Sequence, residues 1–269
     1  MPEGDTILRT ARRLGAAMIG KEVRAATSTV GIDASTLVGR RVSAVEAHGK
    51  NLLIRFDDGR TLHSHMQMNG AWHIARPGER WQKPAFRARI SLDVGDYVAI
   101  CFDAPVVRLL RRGGEQRDDR LRKLGPDLLA EGFTPELVRH RLRALGDKPI
   151  GEALLVQSAI AGIGNIYKSE TLFECRINPF VLVSALDDVT LDAIVVRAVK
   201  LMSRSLGAGA RNVVPRVKGG RYWVYRRSGE PCRRCGHAVK MKRQGATARS
   251  TYWCPRCQAC EVRDTRAGS

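Results

Sequence analysis

Asn51-Leu52-Leu53-Ile54-Arg55-Phe56-Asp57-Asp58-Gly59-Arg60-Thr61-Leu62-His63-Ser64-His65-Met66 holds two short apolar-rich runs around an Asp-Asp-Gly turn. Runs this short cannot bury a helical stripe, and the turn lets the chain double back, so the pattern predicts a β-hairpin. Outward from it the pattern repeats at 42–47, 71–75, 88–94, 97–102 and 106–110, with a second turn at Val94-Gly95-Asp96. Many short strands at close spacing predict an antiparallel sandwich or barrel. Ahead of them Ile7, Ala11, Leu14 and Met18 recur at helical spacing, with Arg9, Arg12 and Arg13 on the other face. That is an amphipathic helix over residues 5–18.

Behind the strands the character changes. Residues 111–124 are polar, charged and glycine-containing and read as a linker, which Leu124-Gly125-Pro126-Asp127 closes. Thr134 followed by Pro135 and Glu136 predicts a helix start, with the apolar pattern running to Leu145. Further helices are expected over 149–160, 166–175 and 191–206, the first two separated by Gly162-Ile163-Gly164-Asn165. A glycine turn leading into a helix brings backbone N–H groups and the Asn165 amide to a point where a phosphate can dock.

The 46 Lys and Arg against 27 Asp and Glu give a formal charge of +19, which calls for a polyanionic partner. No apolar run approaches 18 residues and no signal-peptide pattern appears, so nucleic acid is favoured over a membrane. Between Arg211 and Cys257 thirteen cations face one acid, Glu230. Within that basic stretch Cys232-x2-Cys235 and Cys254-x2-Cys257, eighteen residues apart, have the spacing of a four-thiolate zinc ribbon. Cys260 adds one more such step and either replaces Cys254 or is a spare thiol. His237 reads as a turn residue. Cys101 and Cys175 stand alone, a usage that fits a reducing cytosol. A ribbon this small depends on its metal, which leaves its cations, Arg249 among them, to face the polyanion.

Met1-Pro2-Glu3-Gly4-Asp5 opens the chain. A small second residue permits removal of Met1, which would turn Pro2 from a tertiary amide into a secondary amine and a nucleophile. Glu3 sets a carboxylate beside that amine. The partial positive charge at the start of the helix lowers the amine pKa and Glu3 raises it.

These segments, together with His48-Gly49-Lys50-Asn51-Leu52-Leu53, Ser64-His65-Met66-Gln67-Met68-Asn69-Gly70, Gly162-Ile163-Gly164-Asn165-Ile166-Tyr167 and the ribbon entry from Trp223 to Cys232, resemble the formamidopyrimidine-DNA glycosylase/endonuclease VIII family. The similarity spans nearly the whole chain, and Pro-Glu-Gly-Asp resembles its endonuclease VIII branch. The resemblance implies an α+β multidomain protein: an N-terminal antiparallel β-sandwich with an N-terminal helix, then a helix-two-turns-helix domain bearing a four-cysteine zinc finger. DNA would lie in the cleft between. On that basis the boundaries expected are 1–112 for the sandwich, 113–133 for a linker, 134–220 for the helical domain, 221–260 for the finger and 261–269 for a tail.

The function implied is that of a bifunctional DNA glycosylase and AP lyase acting on oxidised pyrimidines. Its alternatives are an oxidised-purine enzyme, a catalytically silent DNA-binding homologue and an RNA-binding zinc-ribbon protein. Pro2 would form the Schiff base and Glu3 would donate the proton. Lys50 and Arg249 would contact phosphates through β- and δ-elimination. Lys148 and Asn165 would hold the backbone, and Met68, flanked by Gln67 and Asn69, would fill the gap left by the flipped nucleotide. Cys232, Cys235, Cys254 and Cys257 would hold one structural zinc. The partner is damaged double-stranded DNA, or single-stranded or bubble DNA, met by a monomer in the bacterial cytoplasm at the nucleoid. Two departures stand out. Asn69 occupies a position that is aromatic in better-known endonuclease VIII proteins, and Ala104-Pro105-Val106-Val107-Arg108 replaces the Arg-Arg-Phe-Gly loop of the other branch.

Overall fold

The computed structural model describes residues 2–207 and 220–259; Met1, residues 208–219 and everything from Cys260 onward lie outside the described residues. The chain divides into two units, Met1–Leu124 and Gly125–Ser269.

The first unit begins with α1 (Gly4–Met18) and continues through β1 (Ala25–Ser28), β2 (Val42–His48), β3 (Asn51–Phe56), β4 (Thr61–His65), β5 (Ala71–Ala75), β6 (Ala88–Asp93), β7 (Val98–Phe102) and β8 (Val106–Leu110). The strands form two antiparallel four-stranded sheets, ordered β2-β3-β4-β8 and β1-β6-β7-β5. One continuous apolar core joins them. Leu52, Ile54 and Leu62 come from the first sheet, Ile90, Leu92 and Cys101 from the second, and Ile7, Leu14 and Met18 from α1. Two separate sheets over a shared core make a sandwich and exclude the barrel. The Trp72 indole N–H donates to Ser64 Oγ across the sheets at 2.9 Å, which satisfies the polar edge of a buried ring.

Two one-turn helices, α2 (Gly114–Arg117) and α3 (Asp119–Arg122), follow β8 inside the stretch whose composition reads as a linker. The first is tied to the sandwich by charge. Glu115 accepts from Arg55 Nε and Nη2 at 2.7 and 2.8 Å and from Thr61 Oγ1 at 2.6 Å.

The second unit contains α4 (Pro135–Arg143), α5 (Ile150–Ala153), α6 (Asn165–Glu174), α7 (Asp188–Arg204) and the ribbon hairpin β9 (Lys240–Gln244) and β10 (Arg249–Trp253). The helix expected over 149–160 is a single turn. Beyond it the backbone serves other partners: Gly125 N donates to Gln157 O at 2.8 Å and Ala161 N to Pro126 O at 2.9 Å. Val138, Leu142, Leu172, Leu191, Val195 and Met202 pack together as the helical core.

The ribbon is locked to α6 by two fully buried charged side chains. Lys168 Nζ donates to Thr251 Oγ1 at 2.7 Å and to Ser250 O at 3.1 Å. The Glu170 carboxylate accepts the backbone N–H groups of Trp223, Val224 and Tyr225 at 2.8, 3.0 and 2.8 Å. Burial pushes the Glu170 carboxyl up to about 7, against the downward pull of those three donors.

Candidate active site and nucleic-acid interface

In the first unit, Pro2 is half-buried and Glu3 is only 1 % exposed. Glu3 is the N-cap of α1 and extended (φ −116°), and its carbonyl accepts from Thr6 N and Ile7 N at 2.9 and 3.1 Å. The helix entrance therefore fixes the backbone immediately after Pro2, and it does so with a buried acid as the neighbouring residue.

Gly49 and Lys50 form the two-residue turn between β2 and β3, with His48 paired to Asn51. Gly49 takes φ +58°, which a residue without Cβ adopts at no steric cost at the first position of such a turn. The turn is braced from below. Asn51 Nδ2 donates to His48 O at 3.1 Å, and Asn51 Oδ1 meets His63 Nε2 at 2.9 Å. Arg108 Nη2 meets His63 Nδ1 at 3.2 Å and Asp118 Oδ2 at 2.6 Å. His63 is 1 % exposed, and burial, then the Arg108 charge, pulls its pKa down to about 4. A neutral ring that accepts from Arg108 at Nδ1 must donate from Nε2, so a single tautomer satisfies the whole chain from Asp118 to His48.

His65 lies beside this turn, since it pairs with Asn51 in the β3–β4 ladder. Burial, and next the Lys50 charge, holds its imidazole below the ordinary value. Its Nδ1 accepts from Gln67 N at 3.2 Å. His63 and His65 escape a reading by composition because each sits in a strand run where alternation alone assigns it to packing.

Gln67, Met68 and Asn69 form an exposed turn after β4 in which Gln67 takes φ +44° and Met68 is 58 % exposed. The neighbouring Met66 is 2 % exposed and belongs to the core, so the two methionines have opposite environments. Gly70 N closes the turn onto Met66 O at 2.8 Å. A Cβ on Gly70 would meet Met66 O at 2.7 Å and Ala104 Cα at 2.9 Å, which leaves room for glycine alone.

In the second unit, Gly164 is the N-cap of α6 and Asn165 the first helical residue. Gln157 braces the preceding turn, donating to Ile163 O at 3.0 Å and accepting from Gly162 N at 3.2 Å. Asn165 Oδ1 is buried with no hydrogen-bond partner among the described residues. Lys148 is exposed in the turn between α4 and α5. Arg249 is exposed at the start of β10, paired with Gln244 and preceded by Ala248 at φ +47°.

The Sγ atoms of Cys232, Cys235, Cys254 and Cys257 lie within 4.8 Å of one another. Cys232 to Cys257 is 3.9 Å and Cys235 to Cys254 is 3.5 Å. Four thiolates bound tetrahedrally at ~2.3 Å stand roughly 3.8 Å apart, so the cage fits zinc. Arg234 N and Cys257 N donate to Cys232 Sγ and Cys254 Sγ at 3.4 and 3.5 Å, the outer bonds that orient thiolate ligands. Cys260 lies outside the described residues. No described helix is long and apolar enough to cross a membrane.

Three family models match the chain in order: the formamidopyrimidine-DNA glycosylase N-terminal domain over residues 1–105, the formamidopyrimidine-DNA glycosylase H2TH domain over 124–215, and the zinc finger found in FPG and IleRS over 229–259. Among curated relatives, a probable endonuclease 8 2 of Streptomyces coelicolor is 40% identical over 96% of this chain and 94% of its own. A DNA-(apurinic or apyrimidinic site) lyase, Nei2, of Mycolicibacterium smegmatis is 38% identical over 96% of this chain and 99% of its own. The fold matches that of a Lactococcus lactis formamidopyrimidine-DNA glycosylase bound to DNA containing an AP site, with a TM-score of 0.79 at 23% identity, over 96% of this chain and 99% of that one.

Proposed function

This chain belongs to the formamidopyrimidine-DNA glycosylase family of DNA glycosylases and AP lyases, and from that premise we propose that it excises oxidised pyrimidines from duplex DNA and nicks the strand. The observation that carries the reading is the buried carboxylate of Glu3 at the head of α1, next in sequence to Pro2. With Met1 removed, the neutral Pro2 nitrogen attacks C1′ of the damaged nucleotide. Glu3 delivers a proton to the sugar ring oxygen, the base leaves with the electrons of the glycosidic bond and takes up the proton shed by the Pro2 nitrogen, and the opened sugar is held as an iminium. A secondary amine gives an iminium that is cationic at every pH. The charge acidifies the C2′ proton, whose loss expels the 3′ phosphate by β-elimination; δ-elimination expels the 5′ phosphate.

Lys50, Lys148, Asn165 and Arg249 are the groups suited to phosphate. Asn165 stands at the first turn of a ten-residue helix, where its side-chain Nδ2–H and the free backbone N–H groups can donate to an anion. Met68, exposed on a turn rooted by Gly70, is suited to occupy the space of an extruded nucleotide, and a basic surface offsets the few kcal/mol that extrusion costs. The four cysteines hold zinc, which maintains the ribbon presenting Arg249 and takes no part in the reaction. The likeness to relatives named endonuclease 8, at 32–40% identity, supports the pyrimidine reading over the purine one. The protein acts as a monomer, at the bacterial nucleoid.

Borohydride reduction on a lesion-bearing duplex tests the mechanism. Preparations with an unblocked Pro2 are expected to become covalently joined to the DNA, and preparations retaining Met1 are expected to bind without joining. Absence of the adduct with a verified free Pro2 would leave only a DNA-binding homologue. Release of thymine glycol faster than 8-oxoguanine from matched duplexes supports the pyrimidine assignment, and the reverse order overturns it.

A further inference from the structure

The second sheet ends in an arrangement that the reaction above does not use. β7 lies between β5 and β6, and its last residue, Phe102, pairs with Ala71 on one side and Ala88 on the other. The next residue, Asp103 (φ +53°), donates its N–H to Arg87 O at 3.0 Å. Its carboxylate accepts from Arg87 Nε and Nη2 at 2.7 and 2.8 Å and from Lys83 Nζ at 2.8 Å. On the other flank, Gly70 packs against Ala104. The turn that carries Met68 and the 3₁₀ turn Ala85–Arg87 therefore flank the same end of β7, two strand spacings or about 10 Å apart at their roots.

Both turns display an apolar residue. Phe86 is 81% exposed, the most exposed large hydrophobic side chain among the described residues. Its surroundings are basic: residues 76–89 contain Arg76, Arg80, Lys83, Arg87 and Arg89 against the single acid Glu79. The root of the loop is fixed, since Trp81 meets the Phe102 ring edge-on at 6.0 Å and the Asp103 clamp holds both ends of the segment 83–87. The residues between Glu79 and Ala85 wall an open hollow of about 750 Å³. An apolar protein partner would not call for the exposed cations Arg76, Arg80 and Arg89 that remain outside the clamp, whereas a polyanion that also offers flat aromatic faces suits both features.

We propose that Phe86 is a second DNA-contacting residue, stacking on a base about three steps from the one displaced at Met68, at ~3.4 Å per step. Arg76, Arg80 and Arg89, exposed and outside the Asp103 clamp, would neutralise the phosphates on either side. Because the loop is already clamped, stacking requires little further ordering. The inference rests on the DNA-repair reading given above.

The test uses full-length protein and a duplex with a stable abasic analogue, carrying 2-aminopurine at each of the four positions on either side in turn. Wild type is expected to change the fluorescence at a position about three steps away as well as beside the lesion. Phe86→Ala is expected to lose the distant change only and to bind about tenfold more weakly, within the range for one aromatic–base stack. Phe86→Trp is expected to restore both. Since Phe86 is exposed, its variants should melt with wild type. Affinity within twofold of wild type, or superimposable fluorescence maps for wild type and Phe86→Ala, overturns the inference while borohydride trapping by wild type still stands. Failure of wild type to trap would instead overturn the reading on which it rests.

Discussion

Glu170→Gln offers a sharp test of how the ribbon is held. Burial places the folded carboxyl at about 7 against an ordinary 4.5. An acid whose pKa is raised by folding binds its proton more tightly in the folded state. Its contribution is therefore fully present below pH ~4.5 and is lost as pH rises through ~7. The full window corresponds to about 3 kcal/mol, and the part between roughly pH 5 and pH 7.5 to about 2 kcal/mol. Glutamine cannot titrate and turns amide hydrogens toward backbone donors, so the variant should be less stable than wild type by about 3 kcal/mol near pH 5 and by only about 1 kcal/mol near pH 7.5. Urea unfolding of zinc-saturated protein, followed by tryptophan fluorescence, should show wild type losing about 2 kcal/mol more than the variant across that interval. Cysteine protonation affects both proteins alike and cancels in the difference. Identical pH dependences would refute the assignment of this titration to Glu170.

Arg249→Ala should weaken duplex binding and lower the slope of log affinity against log salt by about 1; an unchanged slope would show that this arginine meets no phosphate. His63→Leu leaves Asn51 and Arg108 without their shared partner in a site 1% exposed and should cost about 2 kcal/mol in chemical denaturation. The elimination rate should fall with it as the Lys50 turn loosens, and unaltered stability would refute the bracing role. Stripping zinc with a chelator should expose Trp223 and Trp253 to solvent and weaken DNA binding; retention of the native tryptophan emission would show that the cage is not what holds the ribbon together.

The strands of the sandwich were legible because each is a short apolar-rich run bounded by turn residues, as Asp57-Asp58-Gly59 shows. β1 was not, since Ala25-Ala26-Thr27-Ser28 offers no bulky apolar side chain and its residues alternate only between exposed and half-buried. α5 was overextended because the apolar residues after Ala153 look helical while their backbone pairs with residues 125 and 126. Spacing alone showed a four-cysteine ribbon but left Cys260 as a rival to Cys254; the clustered Sγ atoms of Cys232, Cys235, Cys254 and Cys257 pick out the set among the described residues. Lys168 and Glu170 could not be found that way: charged residues on a helix suggest a solvated face, and only the chain packed against α6 shows that they are buried. The Asp118–Arg108–His63–Asn51 relay was equally hidden, because it joins residues as much as 67 positions apart through side chains that pattern counts as unrelated.

The tight corner at Gly70 has a consequence for how such a protein diversifies. Its foundation admits no side chain, while the three residues it supports, Gln67, Met68 and Asn69, stand in solvent and contribute little to the core. Exchanges at the tip therefore leave the fold nearly untouched, and exchanges at the foundation do not. On the proposed reading, in which these residues meet the DNA, lesion preference can drift by swapping a cassette of three residues on a mount that accepts only glycine, with the left-handed backbone at Gln67 limiting the choice.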